Sequence, residues 1–255
     1  MFEYFQVKGF FSAYQTVLSC YANGKTGGLM IDIGDGKCST VPIYEGTPIA
    51  SAAGRNQIGG KAINNLLQTL LIKDGHHQFS ASALNSTVNR IKEEICYVSM
   101  NTAAEMAKSR EGGQIEKKYD LPDGTTININ SPRFMAPECL FFPDLIRETD
   151  ETHGIHKLVY KTILSLDIGI GNEMFQSIIL SGGSSLFKGL PKRLKSEIET
   201  LCGRSNGINV IAPADRQNSP WVGASIMTSL QSFHNCWITK DEYQENGPSI
   251  VHRKC

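Results

Sequence analysis

Two glycine-rich turns, far apart in the chain and alike in form, constrain the fold more than any other feature. Residues 29–36 read LMIDIGDG and residues 178–185 read IILSGGSS. Each is a short apolar run that ends in glycines, the pattern of a buried strand delivering a turn. The missing Cβ atoms let the backbone approach a ligand closely. Backbone N–H groups gathered this way form a concavity suited to phosphate. Asp32 ends the first run beside its turn, where a carboxylate can hold a hydrated Mg²⁺. Taken alone, Gly34-Asp35-Gly36 is an ordinary acidic turn. Two such turns behind apolar strands suggest a nucleotide held between two lobes.

The intervening pattern predicts an α/β architecture. Residues 12–21 have helical spacing at Ala13, Val17, Cys20 and Tyr21, and residues 39–44 form the return strand across the first turn. Residues 62–72 show helical periodicity through Ile63, Leu66, Leu67 and Leu70, and residues 81–100 through Val88, Ile91, Ile95 and Val98. Residues 109–114 read as a loop. Pro122-Asp123-Gly124 marks a hairpin between residues 117–121 and 125–129. Further helices are expected over 155–166, after Pro191 to about residue 201, and over 219–232, with a short strand at Val210-Ile211.

Composition narrows the function classes. Hydrophobic residues make up 40% of the 255 and charged residues 20%, as in ordinary globular proteins. Twenty-five basic and 25 acidic residues give a formal net charge of zero, so bulk charge directs the chain neither to nucleic acid nor to a membrane surface. No apolar run approaches the ~18 residues of a membrane span. Residues 1–5, MFEYF, lack the features of a signal peptide. The seven cysteines are scattered and form no C-x-x-C pair, so neither a zinc site nor a disulfide framework is expected. A reducing, cytosolic setting is. His153 and His156, with acids at 148, 150 and 151, read as a solvated cluster rather than a metal site. Cys20 reads as core.

Other strings make the reading specific. Residues 40–46 read TVPIYEG, residues 120–124 DLPDG, residues 221–226 WVGASI and residues 247–255 GPSIVHRKC. With Ser181-Gly182-Gly183 they resemble the actin family, in order along the whole chain. The density of matches exceeds that of a sugar or acetate kinase of the same superfamily, and no phosphoacceptor site is readable. The resemblance implies an actin-like ATPase fold, of the ribonuclease H-like type, that binds ATP or ADP with Mg²⁺. It covers the C-terminal two thirds of an actin. The family's first phosphate hairpin and its small lobe have no counterpart among these residues. By this resemblance residues 1–22 and 219–255 belong to the first lobe, which remains partial. Residues 23–218 form the second, apparently complete, with an inserted subdomain at about 59–141. The expectations are weak nucleotide binding, no filament formed by the chain alone, and poor solubility or chaperone association, with Trp221, Ile226, Leu230 and Trp237 partly exposed.

The resemblance also assigns roles. Gln15 falls where the family orients the attacking water, and Asp32 where it holds Mg²⁺ through water. Gly34, Asp35 and Gly36 match the second phosphate loop, with Asp35 reaching the ribose. Gly182, Gly183 and Ser184 match the adenosine-side loop, with Leu186 and Phe187 against the base. Lys92 and Glu93 match the base-side pair, although Lys92-Glu93-Glu94 read alone is a solvated helix face. Three departures stand out: Ser39 replaces a histidine of the water network, Asn89 an arginine and Gln217 a lysine. At most a slow ATPase is implied.

The family's partner groove matches Tyr21, Ala22, Gly24, Thr26, Ile226, Met227, Leu230 and Cys236. A Met-bearing apolar helix is more often core than interface, and helix-in-groove docking is the alternative. The filament plug, residues 142–151, carries Asp144, Arg147 and Glu148, and charge there is costly to desolvate. Two readings follow. One is a cytoskeletal ATP-binding filament subunit with actin or actin-binding proteins as partners. The other is a non-polymerising actin-related interaction module without nucleotide turnover.

Overall fold

The computed structural model describes residues 1–80, 85–111, 115–146, 153–203 and 206–255. The strands are β1 (Gly9–Phe10), β2 (Gly28–Ile33), β3 (Cys38–Tyr44), β4 (Thr47–Pro48), β5 (Gly54–Asn56), β6 (Lys117–Asp120), β7 (Thr126–Ile129), β8 (Ile178–Ser181), β9 (Val210–Ile211) and β10 (Ile238–Thr239). The helices are α1 (Gln15–Ala22), α2 (Gly60–Lys73), α3 (Asn85–Ile95), α4 (Thr102–Glu111), α5 (Pro132–Met135), α6 (Ile155–Leu164), α7 (Ile168–Gln176), α8 (Leu190–Cys202), α9 (Ser219–Ser229), α10 (Lys240–Asn246) and α11 (Val251–Lys254).

The main sheet runs β4-β3-β2-β8-β9, with β5 also paired to β3. Strand β2 is antiparallel to β3 and parallel to β8, and β8 is parallel to β9. Every residue of β2 is buried, so both faces of the sheet are covered there. Alternation sorts its side chains. Leu29, Ile31 and Ile33 enter a large core with Ile63, Leu67 and Leu71 of α2, Val159 and Ile163 of α6, and Leu194 and Ile198 of α8. Met30 points the other way and joins Val17 and Cys20 of α1, Ile43 and Ile179.

Helix α1 is clasped by α9. A Cβ at Gly223 would lie 1.7 Å from the Leu18 carbonyl oxygen, so the two helices touch backbone to backbone. The chain ends form a small cluster of their own. Strand β1 pairs antiparallel with β10, over Phe2, Ile238 and Ile250. Thr239 caps α10 in a capping box with Glu242, and Lys254 reaches back to Glu242 at 2.8 Å.

The structure corrects several expectations. The helix expected to run to residue 100 stops at Ile95; its start at 81–84 lies outside the described residues. Tyr97 instead bridges to Lys188, and the Val98 N–H donates to the Lys188 carbonyl at 2.8 Å. Residues 109–111, expected in a loop, belong to α4, while 112–114 lie outside the described residues. Helix α4 buries none of its residues, which removes the periodicity that would announce it. The helix expected over 155–166 ends at Leu164, and a further helix, α7, follows after a break at Ser165. Of the plug segment, 147–151 lie outside the described residues; Phe142 and Leu145 are exposed. No helix among the described residues is long and apolar enough to cross a membrane.

The α1–α9 contact gives a direct test. Gly223→Ala forces a side chain into the Leu18 carbonyl and is expected to destabilise the chain by about 1–3 kcal/mol or more. Gly169→Ala, in α7 with nothing within 4 Å of the new Cβ, is expected to be neutral or up to about 1 kcal/mol stabilising. Urea midpoints of the two variants compare them, and equal effects would refute the close contact.

Candidate functional site

Parallel pairing of β2 with β8 sets Asp32 opposite Ser181, so both glycine turns leave the sheet side by side. The first turn is closed by the Gly34 N–H donating to the Lys37 carbonyl at 3.0 Å. Its outer side rests on α2: the Gly60 and Lys61 N–H groups donate to the Gly34 and Asp35 carbonyls at 3.0 and 2.8 Å. The second turn depends on Gly182, whose φ of +87° lies in the region glycine alone adopts freely. A Cβ there would meet the Ile33 carbonyl oxygen at 2.4 Å and Asp32 Oδ1 at 2.9 Å. Gly182 is therefore the point at which the turns touch.

Asp32 is buried at their junction, 8% exposed. Gln15, the first residue of α1, donates Nε2–H to Asp32 Oδ2 at 3.2 Å. Ser19 Oγ donates to the Gln15 carbonyl and lies 3.1 Å from Ser181 Oγ. Asp32 Oδ1 has no hydrogen-bond partner. Burial raises the Asp32 carboxyl above the usual carboxylate range, against the opposing pull of Ser181, Gln15 and the Lys37 charge. An orphaned oxygen on a buried carboxylate suits a cation held through water. No cluster of three or more His, Cys, Asp or Glu side chains stands ready to chelate a metal among the described residues. Such an ion would take its remaining ligands from water and phosphate, as Mg²⁺ does.

Beside the junction opens a cavity of about 630 Å³. Gly34, Asp35, Lys92, Glu93, Gly183, Ser184, Leu186 and Phe187 all line it, together with Asn89 and Gln217. Gly36 faces a neighbouring cavity of about 430 Å³ instead, and Gly182 is buried beneath the turns. Lys92 is 5% exposed, so the reading of its segment as a solvated face fails at that residue; Glu93 and Glu94 are exposed. Its ammonium donates to Asn89 Oδ1 at 2.8 Å and makes no ion pair among the described residues. Burial lowers its pKa, against the neighbouring charges of Glu93 and Asp35. Asn89 also donates to Glu93 at 2.8 Å.

Sequence reasoning missed two contributors. Gly60 is one: a Cβ there would meet Ser184 Oγ at 2.7 Å, Asp35 Oδ1 at 2.9 Å and Lys92 Nζ at 3.1 Å, so three polar groups converge over its bare backbone. Arg216 is the other. Its carbonyl accepts from the Gly182 N–H, and its guanidinium donates to Ser185 Oγ and the Ser185 carbonyl at 2.9 and 2.6 Å, fixing the second turn. The Gly59-Gly60 pair was a visible signal for the first. A lone arginine beyond β9 gives none.

A second, apolar cavity of about 600 Å³ is lined by Tyr21, Gly24, Thr26, Ile226, Met227, Leu230 and Cys236, joined by Phe11 and Phe233. Ala22 stands outside this lining. Ile226 and Leu230 are 43% and 53% exposed, so this face of α9 is surface rather than core. Cys20 is core, and Cys20, Cys38, Cys96, Cys139, Cys236 and Cys255 are free thiols. His156 is buried against Phe141 and Phe142 rather than solvated, and His153 lies against Lys161.

A family model described as Actin matches residues 1–255, the whole of the chain. The mixed helix-and-strand fold, with its two glycine turns brought to one junction, agrees with that match. The chain belongs to the actin family.

Proposed function

We propose that this chain is an actin-type nucleotide-binding protein that takes ATP or ADP with Mg²⁺ at the junction of its two glycine turns. Actin-family proteins generally bind these ligands. The observation that carries the reading here is Asp32: a buried carboxylate with one oxygen lacking any hydrogen bond, at the meeting point of two turns that face one cavity. In this reading Asp32 holds the cation through water. The Gly183 N–H receives phosphate, Gly34 and Gly36 shape the first turn beside it, and Asp35 takes the ribose. Lys92, Glu93, Ser184, Leu186 and Phe187 surround the nucleoside, above the close approach that Gly182 permits. The Gln15 amide already donates to Asp32, which leaves its carbonyl to orient a water. Residues 23–218 then form the lobe carrying both turns, with 59–141 inserted. Residues 1–22 and 219–255 belong to the other lobe, tied by the β1–β10 pair.

Within this reading the chain is a subunit of actin-like filaments. One observation favours an interaction module instead: the apolar groove beside α9 shares no lining residue with the cavity at the glycine turns, and Ile226 and Leu230 are exposed along it. An amphipathic helix of an actin-binding protein is its natural occupant. Sedimentation under Mg²⁺ and salt, followed by electron microscopy, separates the two, since two-stranded filaments require the first reading.

Asp32→Asn tests the nucleotide site. It keeps the shape and the acceptor for Gln15 but removes the charge. Mg·ATP affinity is expected to fall by roughly tenfold or more, the scale of a lost charge-assisted contact. Stability without ligand is expected to move the other way. Because folding raises the Asp32 pKa, ionising it costs stability. That cost is absent below the ordinary carboxylate range and grows as pH rises through the raised value. At neutral pH the variant should therefore unfold at a higher temperature than the parent chain. Calorimetry and thermal melts measure both, and unchanged Mg·ATP affinity would remove Asp32 from the site.

Ile226→Asp tests the groove. Titrating a fluorescent amphipathic helix from an actin-binding protein, we expect binding to weaken by roughly tenfold or more. Mg·ATP affinity should not change. An unaltered peptide isotherm would contradict the assignment.

A further inference from the structure

A cavity of about 520 Å³ backs onto the nucleotide-side cavity across Leu186, Phe187 and Lys188. Its floor is apolar, built from Tyr97, Phe187 and Pro191, and three cations stand around it: Lys188, Lys192 and Arg216. The walls are pinned by backbone. Tyr97 bridges to Lys188, and Gly189, at φ +86°, places its Cα so close to Val98 that a Cβ would meet the Val98 oxygen at 2.2 Å.

Arg216 is the unusual member. It is 6% exposed, and its three engaged N–H groups go to neutral acceptors: Ser185 Oγ, the Ser185 carbonyl and the Pro213 carbonyl. A guanidinium carries five N–H donors, so two remain. No carboxylate pairs with it among the described residues, and burial pulls its pKa below the usual value with no acid opposing. Arg193, on the neighbouring helix α8, shows what this fold does with a buried arginine that is purely structural. At 7% exposure it pairs with Glu138 at 3.0 Å and Glu197 at 2.7 Å. An unpaired buried charge is costly unless an anion arrives to compensate it.

The surrounding acids do not supply that anion. Glu105 accepts the Tyr97 hydroxyl at 2.7 Å, Glu94 faces Arg90 at 3.4 Å, and Glu93 accepts from Asn89 at 2.8 Å. Asp215, next in sequence to Arg216, is exposed and makes no ion pair among the described residues. Lys188 and Lys192 are exposed and make none either. Arg133, 5.2 Å above the Tyr97 ring, adds further positive charge.

We propose that this cavity is a second anion site, which binds a phosphoryl group on Arg216, Lys188 and Lys192 independently of the nucleotide junction. A phosphoryl dianion matches a fork of guanidinium donors flanked by two ammonium groups. Two sources share this chemistry, inorganic phosphate or pyrophosphate and an organic phosphate monoester. Only the monoester uses the apolar floor.

The full 255-residue chain is titrated by calorimetry with phosphate, pyrophosphate and phenyl phosphate, with and without saturating Mg·ATP. Saturable binding that persists with Mg·ATP present is expected. Phenyl phosphate binding more tightly than phosphate assigns the site to a monoester, and equal binding assigns it to the free anion. Lys192→Glu should weaken binding strongly, and the double variant Lys188→Glu with Lys192→Glu by roughly tenfold or more. Lys192→Gln, the milder change at an exposed position, should give an intermediate loss with an unchanged thermal melt, which guards against misfolding. The proposal is overturned if no saturable binding occurs at millimolar anion. It is equally overturned if binding is displaced by Mg·ATP and unmoved by the lysine variants, since the anion would then sit on the glycine turns.

Discussion

The parallel pairing of β2 with β8 is the constraint on which the rest of the molecule depends. It places Asp32 beside Ser181 and lets Gly182 press its Cα against the Ile33 carbonyl, where any side chain would collide. Two turns distant in sequence thereby become one surface. The pairing is enforced from both sides, because β2 is buried on each face and a one-residue slip would exchange its two sets of core side chains. Helix α2 then fixes the first turn through its opening N–H groups, and Arg216 fixes the second through Ser185.

Charge is distributed unevenly over this frame. Arg193 is buried with two carboxylates, an arrangement that satisfies itself and offers nothing outward. Asp32, Lys92 and Arg216 are also buried, yet each keeps an unsatisfied charge or oxygen beside a cavity or at the junction of the turns. Such groups cost stability in the free chain and recover it when a ligand of opposite charge arrives. Buried ionic groups left incomplete are where a protein of otherwise ordinary core packing departs from its own stability optimum.

Much of the frame was readable in the sequence, for identifiable reasons. The strands β2 and β8 are unbroken apolar runs that end at glycine, and Pro122-Asp123-Gly124 announces the β6–β7 hairpin. Helix α2 shows its buried stripe through Ile63 and Leu67. Helix α4 is hidden in the sequence because it buries nothing, and the apolar spacing of α3 runs past its end because Val98 continues it after the backbone has turned to pair with Lys188. At the site, the glycines were legible as local turn chemistry. The burial of Lys92, the convergence over Gly60 and the hold of Arg216 on the second turn come from contacts between segments distant in sequence, which no local pattern encodes.

Hydrogen exchange with and without Mg·ATP tests the central claim most directly, because it reports where the ligand changes the backbone. The account predicts that amides of both turns, at 34–36 and at 182–184, gain protection together and at the same ligand concentration, and that Asp32→Asn abolishes both gains. Protection confined to one turn, or appearing only elsewhere in the chain, would contradict a single site built by the β2–β8 pairing.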